Sequence, residues 1–253
     1  MLFKAEHCRV ALSCCDYPAQ RLTKRLQLAS LSLWRPTRQP QDSSDMLIFW
    51  EERLVFLATP KAGSTAVETA LESLSSAAIQ RPAVLKHTNI SSYRSHLAPW
   101  LDAQTGDRFT TVALMREPVD WLRSWYRFKL RDDLDDPLHR MEGVGFSRFV
   151  RDYISPEGRA SLMIGTQSEF LTDDHGHVDQ IFRYEDMAGF VEFLEDRLNC
   201  AIELPRINVP PSVDVRLDQD EETLLRECLR DDISLYAKIG QDNGTGKAAA
   251  GDV

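Results

Sequence analysis

The residues best suited to chemistry lie in a short turn between two apolar stretches. Residues 59–65 read T-P-K-A-G-S-T and follow the strand-like run 54–58, L-V-F-L-A. A helical pattern of apolar residues comes directly after them. The start of a helix offers unpaired N–H groups and a positive dipole end, and Lys61, Ser64 and Thr65 add further donors. The turn therefore predicts a binding site for an anion.

The order of residues in this turn narrows the class of ligand. A nucleoside-triphosphate loop has the form G-x-x-x-x-G-K-[ST], with its lysine after the second glycine. Here Lys61 precedes Gly63, and residues 53–55 are R-L-V where the earlier glycine would stand. The usual ATP-binding loop is therefore absent.

A second strand-to-helix turn lies in residues 109–130. The run F-T-T-V-A-L-M predicts a buried strand that ends at Met115, and Pro118 suits the first position of a helix, where a missing N–H costs nothing. This places Arg116 at the carboxyl end of a strand. Ser124 then lies about two turns into the helix, from where its hydroxyl can approach the same ligand.

Together the two motifs resemble those of the sulfotransferases, which take a sulfuryl group from 3′-phosphoadenosine 5′-phosphosulfate (PAPS). K-x-G-[ST]-T resembles their 5′-phosphosulfate loop, and R-E-P-x5-S-x-Y resembles their 3′-phosphate site. The resemblance implies PAPS as cosubstrate and assigns the 3′-phosphate to Arg116 and Ser124. It assigns the phosphosulfate to the turn residues Lys61, Ala62, Gly63, Ser64 and Thr65.

Two later segments extend the resemblance to roughly residues 46–240. Residues 178–186, V-D-Q-I-F-R-Y-E-D, predict a strand that runs into a helix and resemble a segment common in these enzymes. Residues 220–240 predict one amphipathic helix that ends at Gly240.

Length and composition favour one α/β domain. The chain has 253 residues, of which 43% are hydrophobic, enough for one substantial core. Alternating strands and helices predict a mostly parallel sheet flanked by helices, and the resemblance implies a fold of the P-loop nucleotide-hydrolase type. Residues 46–49 and the following run predict a short hairpin that leads into the first strand of the fold.

The ends of the chain differ in character from this domain. Residues 1–45 carry seven Lys/Arg against four Asp/Glu, whereas the whole chain has a net charge of −9. They end in a turn-rich stretch of Pro, Ser, Gln and Asp, so we expect a dispensable extension there, a sulfotransferase-like domain over 46–240 and a disordered tail over 241–253.

The resemblance also implies a mechanism, in-line transfer of the sulfuryl group to an acceptor oxygen or nitrogen. Lys61 is then the residue that stabilises the leaving group. His87 follows the first helix, as the catalytic histidine does in cytosolic sulfotransferases, and is a candidate for the base that takes the acceptor's proton. Glu68 and Glu117 are alternative bases, and a simple polar contact is the alternative role for His87.

Composition excludes some other classes of protein. The negative net charge argues against nonspecific nucleic-acid binding. No apolar stretch approaches the ~18 residues of a membrane span. The five cysteines have no metal-ligand spacing, so we expect no metal and a reduced, cytoplasmic protein.

The acceptor stays open at this point among a carbohydrate, a lipid and a small hydroxylated metabolite. We expect it to be bound by variable loops, here residues 88–100, 131–145 and 155–168. Two other functions are also compatible with the fold: a nucleotide-dependent kinase, which would need its lysine after the glycine, and a catalytically silent nucleotide-binding homologue.

Overall fold

The computed structural model describes residues 46–80, 83–130, 141, 143–205 and 213–240. All of them belong to one of the two units into which the chain divides, residues 38–253; the other unit, residues 1–37, lies outside the described residues. The predicted extension over 1–45 and the predicted tail over 241–253 also lie outside the described residues.

The described residues contain seven strands. They are β1 (Met46–Phe49), β2 (Leu54–Leu57), β3 (Ala77–Ile79), β4 (Thr110–Met115), β5 (Thr172–Asp173), β6 (Gly176–His177) and β7 (Gln180–Arg183). Five of these form one sheet in the order β3-β1-β2-β4-β7, and β5 pairs with β6 in a separate ribbon.

Helices connect the strands throughout the described part of the chain. They are α1 (Ser64–Leu71), α2 (Ala83–Lys86), α3 (Ile90–Ser92), α4 (Ala98–Thr105), α5 (Pro118–Lys129), α6 (Phe146–Ile154), α7 (Pro156–Leu162), α8 (Gln167–Leu171), α9 (Met187–Leu198), α10 (Gln219–Cys228) and α11 (Arg230–Lys238). A 3₁₀ turn over Glu72–Leu74 follows α1, and a π-helical segment over Tyr93–Leu97 joins α3 to α4.

The predicted α/β class with a mostly parallel sheet is confirmed, with one strand reversed. β2, β4 and β7 are parallel neighbours. β1 is antiparallel to both β2 and β3, so four of the five strands run in one direction. β1 and β2 form the hairpin that the sequence predicts, with Leu47 opposite Phe56.

Each face of the sheet is covered by helices because its strands alternate their side chains between the two faces. In β1, Met46 and Ile48 pack with α3, α4 and α8, whereas Leu47 and Phe49 pack with α1 and α9. Burial of each such large apolar side chain contributes about 1.5–3 kcal/mol relative to exposure in water. This two-sided burial fixes the edge of the sheet at which β2 and β4 end.

A third apolar cluster contains no strand residue and is formed by helices and the segments between them. It joins α5, α6, α7 and α10, and its central aromatic side chains are Tyr126, Phe146 and Phe149. Tyr126 and Tyr153 bury their rings there and donate their hydroxyls to the carbonyls of Val144 and Gly165. The cluster anchors α5, which carries the predicted Ser124.

The prediction of one helix over residues 220–240 is wrong. Two helices, α10 and α11, meet at Leu229, whose backbone leaves the helical region at φ −95° and ψ 16°. The reason is packing: Leu225 and Leu229 belong to the helical cluster, whereas Tyr236 and Ile239 pack on the sheet. One straight helix cannot serve both surfaces.

Two segments that the sequence analysis assigned to loops are largely helical. Residues 90–105 form α3, the π-helical segment and α4, and residues 156–162 and 167–171 form α7 and α8. The third expected acceptor loop, 131–145, falls mostly outside the described residues. Within the described ranges, every helix is too short or too polar to cross a lipid bilayer.

Candidate functional site

The two predicted motifs lie side by side at one edge of the sheet. β2 ends at Leu57 and leads through the turn into α1, while β4 ends at Met115 and leads through Arg116 into α5. The two strands are parallel neighbours, with Leu57 paired to Ala113. Both turns therefore lie at the carboxyl ends of the strands, where open α/β sheets bind their ligands.

The turn between β2 and α1 has two residues in the left-handed region of backbone conformation. Lys61 and Gly63 both adopt positive φ, 61° and 81°. Gly63 stands at the N-cap of α1, which receives no side-chain cap from the described residues. The N–H of Ala62 donates weakly to Thr59 and that of Ala66 to Gly63, which closes the turn. The first turn of α1 therefore presents backbone donors and a positive dipole end at its open side.

Tyr184 joins the two motifs. A Cβ added at Gly63 would lie 2.5 Å from Cε2 of Tyr184, so the ring lies directly against this glycine. The guanidinium carbon of Arg116 lies 4.8 Å from the centre of the same ring. Arg116 and the turn are thus held on one aromatic side chain, which follows β7.

Helix α5 forms a further wall of the site. The Nζ of Lys61 lies 3.9 Å from the centre of the Phe128 ring and 5.9 Å from that of Trp125. Trp121 donates its Nε1–H to the carbonyl of Pro60 at 2.8 Å. Ser124 lies on this helix, half-buried, between two aromatic residues that contact the turn. The structure thus brings the helix of Ser124 and the loop of Lys61 together.

The main chain of Arg116 is held by a residue that the sequence analysis did not single out. Its N–H donates to Oε1 of Gln167 at 2.9 Å, and its carbonyl accepts from Nε2 of Gln167 at 2.8 Å. Gln167 is fully buried. Buried polar side chains cost free energy unless they are hydrogen-bonded, and here both amide groups are satisfied by one residue.

Three buried polar atoms around the turn have no hydrogen-bond partner among the described residues. They are Nε of Arg116, Nε1 of Trp125 and Oγ1 of Thr59. Leaving such an atom unpaired costs about 1–3 kcal/mol, so native structures seldom do so without a reason. Unpaired buried atoms also occur elsewhere in the described residues, for example Nε of Arg53 and the hydroxyl of Tyr93, so these three accompany the site geometry and do not by themselves locate a ligand.

His87 lies against the beginning of the turn. Its Nδ1 is 2.9 Å from the carbonyl oxygen of Ala58, directly after β2. A carbonyl oxygen only accepts, so Nδ1 carries the proton in this contact. In the neutral ring, Nε2 is then the nitrogen that can take a proton, which is the state a general base needs.

The two alternative carboxylates have different surroundings. Glu68 lies in α1, one turn after Ser64, and is 2% exposed. Glu117 is the N-cap of α5 and accepts from the N–H of Asp120 at 2.8 Å. Its backbone N–H in turn donates to Glu185. Glu117 therefore has a structural task at the start of α5.

Sequence reasoning missed the roles of Tyr184 and Gln167 for different reasons. Tyr184 falls within the segment 178–186 that was recognised, and the strand-to-helix turn predicted there could have placed it at the ligand edge. Gln167 contacts a residue 51 positions away and carries no local signal. Among the described residues, no group of three or more His, Cys, Asp or Glu side chains is arranged to hold a metal.

We expect Gly63→Ala to destabilise the protein more than Gly106→Ala does. Both glycines have positive φ, 81° and 75°, so both substitutions strain the backbone. Only at Gly63 does the new methyl group meet a packed ring, whereas nothing lies within 4 Å at Gly106. The difference in free energy of unfolding should be roughly 1–3 kcal/mol, measured by urea denaturation. Equal losses in the two variants would show that Tyr184 does not pack on the turn.

One comparison with known proteins identifies a family for this chain. The profile of the sulfotransferase family matches residues 44–231, which include both strand-to-helix turns, His87, Tyr184 and Gln167. No curated protein and no solved structure matches the chain significantly. The family match spans well over half of the chain, and this chain belongs to the sulfotransferase family.

Proposed function

We propose that the protein transfers a sulfuryl group from PAPS to a hydroxyl or amine of an acceptor. The observation that carries the proposal is the contact of Gly63 and Arg116 with the one ring of Tyr184. It brings a lysine-containing anion loop and a strand-end arginine to the same edge of the sheet. A donor with phosphates at both its 5′ and 3′ positions needs two such cationic sites.

The residues present fit this donor. The loop residues 61–65 supply backbone N–H groups, the Lys61 ammonium and two hydroxyls for the phosphosulfate. Arg116 and Ser124 supply a guanidinium and a hydroxyl for the 3′-phosphate. Nε of Arg116 and Nε1 of Trp125 are buried donors that have no acceptor among the described residues. In the proposed complex, the phosphate oxygens of the ligand accept hydrogen bonds from them.

PAPS supplies a sulfuryl group that is bonded to an oxygen of its 5′-phosphate. This oxygen stays with the nucleotide, which leaves as adenosine 3′,5′-bisphosphate. The S–O bond to the phosphate breaks as the acceptor oxygen or nitrogen bonds to sulfur. In this proposal Lys61 neutralises the charge that grows on the leaving oxygen. His87 takes the acceptor's proton on Nε2 while its Nδ1–H stays bonded to Ala58. By analogy with phosphoryl transfer, positioning and charge stabilisation carry most of the rate.

We also propose a P-loop-like fold and a cytoplasmic location for the protein. The strand–loop–helix at β2 and α1 and the parallel strands β2, β4 and β7 support a P-loop-like class. A cytoplasmic location rests on the cysteines, of which Cys200 and Cys228 are unpaired in the described residues. For the acceptor we propose a carbohydrate, a lipid or a small hydroxylated metabolite, and a screen of these three classes identifies it.

The most direct test of the function is the transfer of labelled sulfur from PAPS to a panel of acceptors. We expect Lys61→Met to abolish transfer and keep the fold, because Lys61 lies in the turn and outside the apolar clusters. Lys238→Met removes an equal charge at an exposed position of α11 and should keep full activity. Full transfer by Lys61→Met would remove Lys61 from the mechanism.

We expect Arg116→Ala to weaken binding of adenosine 3′,5′-bisphosphate far more than binding of AMP. The lost contact is to the 3′-phosphate, and a charge-assisted hydrogen bond contributes roughly 1.5–3 kcal/mol. Isothermal titration calorimetry with the two nucleotides measures the difference. Arg230→Ala, at an exposed arginine of α11, is the matched control and should change neither affinity. Equal losses for both nucleotides would place Arg116 outside the 3′-phosphate site.

We expect His87→Ala to lower turnover by about 10²–10⁴ with donor affinity unchanged, as loss of a general base does. The variant His175→Ala removes an exposed histidine between β5 and β6, outside the expected acceptor-binding segments, and should be neutral. Single-turnover transfer measures the chemical step, and a parallel titration with nucleotide measures donor affinity. Turnover within a few-fold of wild type would remove His87 from the role of base. It would point to a carboxylate, with Glu68 as the next residue to test, or to an acceptor acidic enough to need no base.

A further inference from the structure

Arg116, the residue that directly follows β4, lies just beyond the ladder of the sheet. The sheet ladder between β4 and β7 ends with the pair Met115 and Arg183, followed by the bond from the N–H of Tyr184 to the carbonyl of Met115. Arg116 comes directly after this point. Its backbone N–H and C=O are both taken by the side chain of Gln167, at 2.9 and 2.8 Å. The amide of Gln167 thus replaces the missing strand for one residue.

Gln167 is itself held on its backbone side. It is the first residue of α8, and its N–H and that of Ser168 donate to the carboxylate of Asp232 at 3.1 and 2.8 Å. Thr166 and Glu169 complete a capping box at the same helix start. Gln167 and Asp232 are both almost completely buried. Burial raises the pKa of Asp232, while the hydrogen bonds from Ser168 and Gln167 oppose that rise.

These contacts fix the point from which the arginine side chain extends. With its main chain bound at both polar groups, Arg116 reaches over the ring of Tyr184, and its Nε is buried there. We infer that Gln167 is a positioning residue, which holds Arg116 in the orientation that binds the 3′-phosphate of the donor. The inference rests on the proposed function and adds α8 and α11 to the elements on which donor recognition depends.

The test compares two nucleotides that differ only in the 3′-phosphate. Gln167→Met keeps the volume of the side chain and removes both hydrogen bonds. We expect the preference for adenosine 3′,5′-bisphosphate over AMP to fall about tenfold, because residues that orient a contact change affinity by about this amount. The affinity for AMP, which lacks the 3′-phosphate, should change little. Calorimetric titration of each nucleotide gives the ratio.

Two further variants separate positioning from general stability. Leu194→Ala opens a cavity in α9, among the residues that cover the other face of the sheet, and should lower the melting temperature without changing the ratio. Asp232→Asn leaves Gln167 intact but replaces one of the two carboxylate oxygens that accept from the start of α8 by an amide nitrogen. The preference for adenosine 3′,5′-bisphosphate over AMP should therefore fall, but by less than in Gln167→Met. This variant carries the test if Gln167→Met does not fold.

The titrations distinguish failure of the inference about Gln167 from failure of the proposed function. If wild type prefers adenosine 3′,5′-bisphosphate and this preference survives both Gln167→Met and Asp232→Asn, Gln167 is only a packing residue and the inference is overturned. If wild type binds the two nucleotides equally, the 3′-phosphate assignment of Arg116 fails, and the inference fails with it.

Discussion

The contact of the Tyr184 ring with Gly63 and Arg116 is the constraint on which the site depends. A side chain at Gly63 would enter the ring, and a displaced ring would no longer lie under the guanidinium of Arg116. Gly63 and Arg116, which belong to the two strand-to-helix motifs, stand 53 residues apart in sequence, so only the tertiary fold can bring them together. The parallel pairing of β2, β4 and β7 does so by ending three strands at one edge.

The rest of the structure packs against that edge and orients its groups. The apolar clusters on the two faces of the sheet fix β2 and β4, and the helical cluster fixes α5 against the turn. Polar contacts then orient individual groups: Trp121 to Pro60, Gln167 to Arg116 and His87 to Ala58. Each of these contacts satisfies a backbone group that the turns leave without a ladder partner. Preorganisation of this kind is what transfer by positioning and charge stabilisation requires.

Local patterns in the sequence were sufficient for the elements that carry the motifs. The hairpin at residues 46–57, the strand before Arg116, the helix that begins at Pro118 and the strand-to-helix segment 178–186 all follow from apolar periodicity and the position of proline. The break at Leu229 did not, because α10 and α11 pack on different clusters and periodicity reports only that a helix has an apolar side. The contacts of Gln167 span 51 and 65 residues, so no window of sequence contains them.

In the proposed function, this edge of the sheet binds a nucleotide with a 3′-phosphate and lacks a nucleoside-triphosphate loop. Calorimetric titration of the wild-type protein with adenosine 3′,5′-bisphosphate, and separately with ADP plus magnesium, tests it without knowledge of the acceptor. We expect saturable 1:1 binding of adenosine 3′,5′-bisphosphate that is at least about tenfold tighter than binding of ADP with magnesium, which is the contribution of one charge-assisted contact. Tighter binding of ADP with magnesium would contradict it and favour a nucleotide-dependent kinase.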